Sequence, residues 1–416
     1  MELGIREKLR RRIVDNIDMT CTLDDSQIGD IIDSYIIEET RGEYFPIKEK
    51  IGLRTELFNS FRRLDVLTEL LEDDQVSEIM VNGTAPIYVE RNGRIVRTEK
   101  HIESEEKLHS LIQQIVADCN RRINEANPIV DARLSDGSRV NIVINPVSLS
   151  GTTITIRRFP KNEITVEKLI QLGSIDEALA KVLKALVVAK YNIFISGGTG
   201  SGKTTFLNAL SSFIPKDERI ITIEDSAELN LKQVENLVRL EARNANVEGE
   251  NSISIRELIK TSLRMRPDRI IVGEVRDEAA IDMLQAMNTG HDGSLSTGHA
   301  NSPRDMISRL ETMVLTGVEI PLAAVRMQIA NAVDIVIHLG RIRDKSRKVL
   351  NVSEVLGVEN GQVVLNTLYE FVETGERDGK IQGNLRKVNQ LLNVDKLIRW
   401  NMRELYEEGE GGILRI

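Results

Sequence analysis

Ten consecutive residues, SGGTGSGKTT from Ser196 to Thr205, constrain this chain more than any other stretch. They follow the apolar run NIFIS and lead into TTFLNALSSF, so a buried strand must pass to a helix through a turn rich in glycine. Gly197, Gly198, Gly200 and Gly202 let the backbone curl until its N–H groups point inward, and a helix amino terminus adds its dipole. Such a turn is built to hold phosphate. Lys203 is placed to reach a β/γ-phosphate, and Thr204 offers a hydroxyl to Mg²⁺. Gly197, Gly198, Thr199, Gly200, Ser201, Gly202, Lys203, Thr204 and Thr205 are therefore the candidate nucleotide contacts, with ATP and Mg²⁺ as the expected ligands.

The rest of the chain fits an α/β protein. At 416 residues, two or three domains are expected. The runs NIFIS, RIITIE, RIIVGE and DIVIHL read as buried strands alternating with helical segments, which is the pattern of a parallel sheet with crossover helices. Upstream, Asn92-Gly93 and Asp136-Gly137 sit between alternating stretches as hairpin turns, with a helix expected over 104–123, and Asn360-Gly361 marks a last hairpin. The expected organisation is a charged helical region over 1–65, a small α+β domain over 66–158, a linker over 159–185 and a nucleotide-binding domain over 186–416.

Composition excludes several classes. Unbroken apolar stretches such as Ala185–Ala189 fall far short of the roughly 20 residues a spanning helix needs, and the amino terminus lacks the apolar core of a secretory signal. A cytoplasmic protein is expected. Two cysteines, Cys21 and Cys119, form no CxxC pair; Cys119 extends the apolar face Leu108, Leu111, Ile112, Ile115, Val116 as a small hydrophobe. A net charge of −9 argues against broad nucleic-acid binding, so no DNA partner is expected. The basic run between Arg6 and Arg12 is the best local candidate for one, and reads equally as a solvated helix face.

A phosphate loop alone leaves the reaction open. Two strand-like runs end in acids: RIITIE in Glu224-Asp225, with Glu228 close by, and RIIV in Gly273-Glu274. At the carboxyl edge of a parallel sheet such carboxylates can orient Mg²⁺-bound waters or polarise an attacking water, although each alone also reads as a solvated acid. The Gly/Ser/Thr-rich stretch MNTGHDGSLSTGHANSPRD reads as a loop and carries His291 and His299. Arginines that could stabilise a γ-phosphate are numerous: Arg133, Arg139, Arg157 and Arg158 in the smaller domain, and Arg239, Arg243, Arg264 and Arg266 beyond it.

Four stretches in order, SGGTGSGKTT, TIEDSAEL, RPDRIIVGEVRDEAA and NTGHDGSLSTGHANSPRD, resemble the Walker A, Asp box, Walker B and His box of the type II/IV secretion ATPase superfamily. Within it, the succession DARLSDGSRVN, ITIRRF, RMRPDRIIVGEVR is similar to CpaF-like ATPases of tight-adherence (Tad/Flp) pili, over about residues 65–370. The resemblance implies a RecA-like P-loop ATPase domain with a smaller α+β N-terminal domain and a helical N-terminal extension. It also implies a homohexamer that hydrolyses ATP between its domains, peripheral at the inner face of the cell membrane, working with inner-membrane platform proteins. By motif, Lys203 and Thr204 take phosphate and Mg²⁺, Glu224, Asp225 and Glu228 form the Asp box, Glu274 is the Walker B acid and His299 the His-box histidine. Among the arginine candidates, Arg157 and Arg158 are taken as nucleotide contacts. The chain lacks the cysteine quartet of the zinc-carrying branch. Glu274 and Glu224 both remain candidates to position the attacking water, with Glu274 preferred. Alternative readings are the hub ATPase of a conjugative type IV secretion system, a RecA-like nucleic-acid motor, and a nucleotide-gated scaffold.

Overall fold

Apolar residues three and four apart give the first segments one buried face each. In a computed structural model that describes residues 2–16, 23–41, 44–91, 93–119, 121–158, 164–243, 251–411 and 414–415, helices α1 (Glu2–Asn16), α2 (Asp25–Glu39) and α3 (Ile47–Arg62) share a core of Leu9, Ile13, Ile32, Ile36 and Leu57. Asp24 opens α2 through a capping box with Gln27. Then come α4 (Val66–Glu72), β1 (Val76–Asn82), β2 (Tyr88–Arg91), β3 (Arg94–Arg97), α5 (Glu105–Asp118), β4 (Ile129–Arg133), β5 (Arg139–Val143) and β6 (Thr153–Arg157). The strands form an antiparallel sheet in the order β3-β2-β1-β6-β5-β4, and α5 lays Leu108, Leu111, Ile112 and Ile115 on it against Ile79, Ile142 and Ile154.

The chain divides into two compact units, Met1–Lys161 and Asn162–Ile416. The expected boundary at 65 therefore falls inside the first unit. Arg6 on α1 shows why: it pairs with Asp65 at 2.8 Å and with Glu103 at 2.9 Å, joining the helical region to the sheet-bearing part. Its basic neighbours are likewise neutralised within the unit, Arg12 by Glu38 and Glu39, Arg11 by Glu7 and Arg10 by Glu7 and Glu103, so the run is a paired helix face.

The second unit contains α6 (Val166–Gln171), α7 (Glu177–Val188), β7 (Ile193–Gly197), α8 (Lys203–Ser211), β8 (Arg219–Glu224), β9 (Asn236–Glu241), α9 (Ile255–Ser262), β10 (Arg269–Val272), α10 (Ala279–Asn288), β11 (Leu295–His299), α11 (Pro303–Gly317), α12 (Leu322–Ala332), β12 (Ile335–Arg341), β13 (Arg347–Glu359), β14 (Gln362–Arg377), β15 (Lys380–Lys387), α13 (Asp395–Arg399), α14 (Arg403–Gly411) and β16 (Leu414–Arg415). Its sheet runs β16-β15-β14-β13-β12-β7-β11-β10-β8-β9. The segment from β12 to β9 is parallel, and β13 to β15 extend it antiparallel. Alternate residues of β7 serve opposite faces: Ile193 and Ile195 pack with α7 and α8, and Phe194 with α10 and α11.

Asn192, just before β7, fixes the near edge of this sheet. Its Oδ1 accepts from the Gly293 and Ser294 amides at 2.8 and 3.1 Å, its Nδ2 donates to the Ala332 carbonyl at 2.8 Å, and its own amide donates to Asp334 at 2.7 Å. The starts of β7, β11 and β12 are thereby tied together, and at their far ends Gly197 pairs in register with both His299 and Leu339.

Several expectations need correction. Most of the expected linker folds: Leu179, Val182, Leu183 and Leu186 of α7 lie in the core of the second unit, because the helical spacing of these apolar residues outweighs the polar residues between them. Residues 159–163 lie outside the described residues. Leu295–His299 is a central strand, not loop; Ser296 and Thr297 use their hydroxyls on the carbonyls of Val272 and Gly273, at 3.0 and 2.7 Å. The helix expected to reach 123 stops at Asp118, and Cys119 caps it half-buried, its thiol donating to the Arg133 carbonyl. Gly137 (φ 90°) and the Asn360-Gly361 pair (φ 49° and 73°) turn as expected; Gly93 does too (φ 74°), while Asn92 and Cys21 lie outside the described residues.

Candidate active site

The phosphate loop is the handover from β7 to α8. Gly202 has a left-handed φ of 92° as the residue that caps α8, a conformation costly for any side chain. Gly197 is required for space, since a Cβ there would lie 2.5 Å from the Leu339 carbonyl oxygen. Lys203 is buried, and its ammonium donates to the carbonyls of Gly197 and Gly198, each at 3.1 Å. Ser201 Oγ, also buried, has no hydrogen-bond partner among the described residues. A cation folded back on loop carbonyls beside an orphaned hydroxyl is the condition of a cradle that takes an anion, so the residues present fit a nucleotide phosphate. Gly198, Thr199 and Gly200 are exposed at the loop's apex, and Thr204 and Thr205 lie half-buried on the first turn of α8.

The carboxyl edge of the sheet brings the other candidates to this loop. His299, at the end of β11 beside β7, places Nδ1 3.3 Å from the Lys203 ammonium and Nε2 3.4 Å from Glu274 Oε1. Burial, with Lys203 and Arg276 close by, holds its pKa below the ordinary histidine value against the pull of Glu274. A neutral ring that accepts from Lys203 at Nδ1 and carries its proton at Nε2 toward Glu274 satisfies both neighbours. Glu274 Oε2 also accepts from Arg276 at 2.8 Å. Burial favours its protonated form, but Arg276, His299 and Lys203 together keep its pKa below the usual carboxylate value. Arg276 reaches on to Asp225 at 3.4 Å, so a polar chain runs Lys203, His299, Glu274, Arg276, Asp225.

Glu224 has a different environment. It is 3% exposed; Oε1 accepts from the amides of Glu228 and Leu229 at 2.8 and 2.9 Å, while Oε2 is buried without a partner among the described residues. Burial pushes its pKa up to about 7 in spite of those two amides. Gly273 explains why the preceding strand ends in Gly-Glu: a Cβ at 273 would lie 2.9 Å from Glu224 Cγ, so only glycine lets the Glu224 side chain cross there. Glu228 is half-buried and its charge opposes ionisation of Glu224.

The arginines sort by their partners. Arg158 is a correction: it is buried in the first unit and donates to the carbonyls of Asp73 and, at 2.7 Å, Val76, so its guanidinium is committed to the chain entering β1. Arg157 is exposed at the end of β6. Arg133 and Arg243 donate to the nearby carbonyls of Gly137 and Asn251. Arg139 is half-buried in β5, Arg239, Arg264 and Arg266 are exposed, and His291 meets the Ala286 carbonyl at 3.2 Å.

Sequence reasoning missed three arginines and a histidine. Arg276 lies inside a quoted motif, two residues beyond Glu274, and that proximity was the available signal. Arg347 donates from Nε to the Gly200 carbonyl at 2.8 Å, and an Arg341 guanidinium nitrogen lies 3.9 Å from where a Gly200 Cβ would stand; neither has a motif around it. His338 is buried on β12 with Nδ1 2.9 Å from Ser196 Oγ.

The family described as type II/IV secretion system protein matches residues 62–409. A Mycobacterium tuberculosis protein whose name assigns it to conjugal transfer is 34% identical over 323 residues, covering 76% of this chain and 90% of that protein. The type IV secretion system protein PtlH of Bordetella pertussis is 33% identical over 303 residues, covering 67% and 89%. The pilus retraction motor PilT, solved with bound ADP, shares the fold at a TM-score of 0.51 and 22% identity, covering 84% of this chain and 90% of PilT.

Proposed function

Because this chain belongs to the type II/IV secretion system protein family, we propose that it hydrolyses ATP through the loop at Lys203 and uses the energy to drive filament assembly or protein transport at a membrane. The observation that carries the proposal is the linkage of Lys203 through His299 to Glu274 at the carboxyl edge of a parallel sheet. When phosphate arrives, the Lys203 ammonium exchanges two loop carbonyls for phosphate oxygens, and His299 and Glu274 feel that change directly. Thr204 would hold Mg²⁺, which would supply charge stabilisation to the transferring group when bound. Glu224 has the better character for taking the proton of the attacking water: its free Oε2 is buried, and its pKa near 7 matches the working pH, whereas Glu274 is held in its ionised form by Arg276. We assign Glu274 to holding His299 and Asp225, with Arg276, around the phosphates.

In this reading the chain works as a homohexamer, peripheral at the inner face of the cell membrane and acting on platform proteins there. The described residues contain no helix long and apolar enough to cross a membrane, which fits attachment through partners. The motif order supports tight-adherence pilus assembly. The relatives named for conjugal transfer and type IV secretion favour a second reading, a conjugative hub ATPase. The test is Mg²⁺-dependent ATP turnover by the purified chain beside Lys203→Ala, with both proteins returned to a deletion host. Turnover lost in the variant, together with loss of surface pili, supports pilus assembly; loss of conjugal transfer with pili intact supports the hub. Turnover that persists in Lys203→Ala, or strong stimulation by single-stranded DNA, overturns both.

A further inference from the structure

The turn between β12 and β13 brings Arg347 against the apex of the phosphate loop, although the two are 147 residues apart. Two contacts define the approach. Arg347 Nε donates to the Gly200 carbonyl at 2.8 Å, and its Cδ would stand 3.2 Å from a Cβ on Gly202, so the aliphatic stem covers the residue that caps α8. The turn is itself anchored. Asp344 accepts from the Ser346 and Ile381 amides at 2.8 and 2.9 Å, and Arg343 pairs with Glu373 on β14. The next residue on β13, Lys348, donates to the Gly173 carbonyl at 2.7 Å, and the Val349 amide to that of Ser174 at 3.1 Å. Arg347 thus reaches the loop from a strand held on two other sides.

We propose that Arg347 is a positioning residue for the phosphate loop. It holds the Gly200 carbonyl turned outward, so that the adjoining amides converge on the phosphates. The geometry requires this of some donor, because a loop carbonyl facing the cradle would repel the anion that the amides attract. A guanidinium is suited to it, as its charge strengthens the bond to the carbonyl and favours an anion nearby. The inference rests on nucleotide binding at the loop.

The loop cradles the phosphates common to ATP and ADP, so loss of positioning must weaken both nucleotides alike. Affinities for Mg²⁺-ATP and Mg²⁺-ADP are to be measured by calorimetry on the full chain and on Arg347→Met, which keeps the stem over Gly202 and removes the donors. Arg377→Ala, at the exposed end of β14 and paired with its neighbour Asp378, serves as the control. Loss of one charged hydrogen bond predicts both nucleotides bound about 10- to 100-fold more weakly by Arg347→Met, with Arg377→Ala unchanged. Unchanged affinities in Arg347→Met would overturn the proposal, as would an equal loss in Arg377→Ala. Weakening of ATP alone would make Arg347 a γ-phosphate contact and overturn it too. A wild-type chain that binds neither nucleotide would instead sink the ATPase reading, and the inference with it.

Discussion

Glu224→Gln is the sharpest perturbation the site offers, because it separates charge from shape. The Glu224 carboxyl loses its proton near pH 7 rather than near 4.5. The folded chain therefore holds that proton more tightly than the unfolded chain by about 3 kcal/mol. The folded-state pKa is raised, so the stabilisation is fully present below pH 4.5 and is lost as pH rises through about 7. Glutamine at 224 keeps an oxygen for the Glu228 and Leu229 amides and is neutral throughout. At pH 4, below both pKa values, the variant should match wild type in melting temperature; at pH 8 it should melt higher, by on the order of 5–10 °C for a unit of this size. Thermal scans of the nucleotide-free chain at the two pH values decide it. A difference of equal size at both, or a variant that melts lower at pH 8, would refute the burial argument. The same substitution should lower turnover by roughly 100-fold or more if Glu224 takes the proton.

Three further outcomes follow from the packing and charges described. Wild-type turnover should rise with pH through about 7, as Glu224 ionises, and Glu274→Gln should keep that limb; a profile flat from pH 5 to 8 would return the proton-accepting role to Glu274. Gly273→Ala should force the Glu224 side chain aside, costing roughly 1–3 kcal/mol in denaturant unfolding and at least about tenfold in turnover. Glu218→Ala should leave the fully buried Arg269 without its carboxylate, 2.9 Å away, and lower the unfolding free energy by about 3–5 kcal/mol.

The site was legible where its chemistry is contiguous in the chain. Lys203, Thr204, Glu224 and Glu274 each lie in a run whose neighbours announce a strand end or a phosphate loop, whereas His299 stands in a stretch that reads as a loop. The strand β11 was not legible, because Ser296, Thr297 and Gly298 carry none of the branched apolar side chains by which a strand is read. Gly298 is small where α11 packs on it, since a Cβ there would meet Met306 at 2.6 Å, and the Ser296 and Thr297 hydroxyls serve neighbouring carbonyls. Arg347 escaped for another reason. Its contact with Gly200 depends on how β12 and β13 fold back beside β7, and no local pattern encodes that. The linker was misjudged because α7 shows water enough polar residues to look like a hinge while keeping an unbroken apolar stripe for the core.

Asn192 makes strand length a ruler. With the starts of β7, β11 and β12 clamped to one side chain, the height at which Gly197, His299 and Leu339 emerge depends only on how many residues each strand spends in crossing the sheet. Inserting one residue into β11 would lift His299 by about 3.3 Å and turn its side chain to the opposite face. Lys203 would then lose its neighbour although every residue of the site was intact. Substitution can tune this centre; one inserted residue in the buried body of a strand would dismantle it.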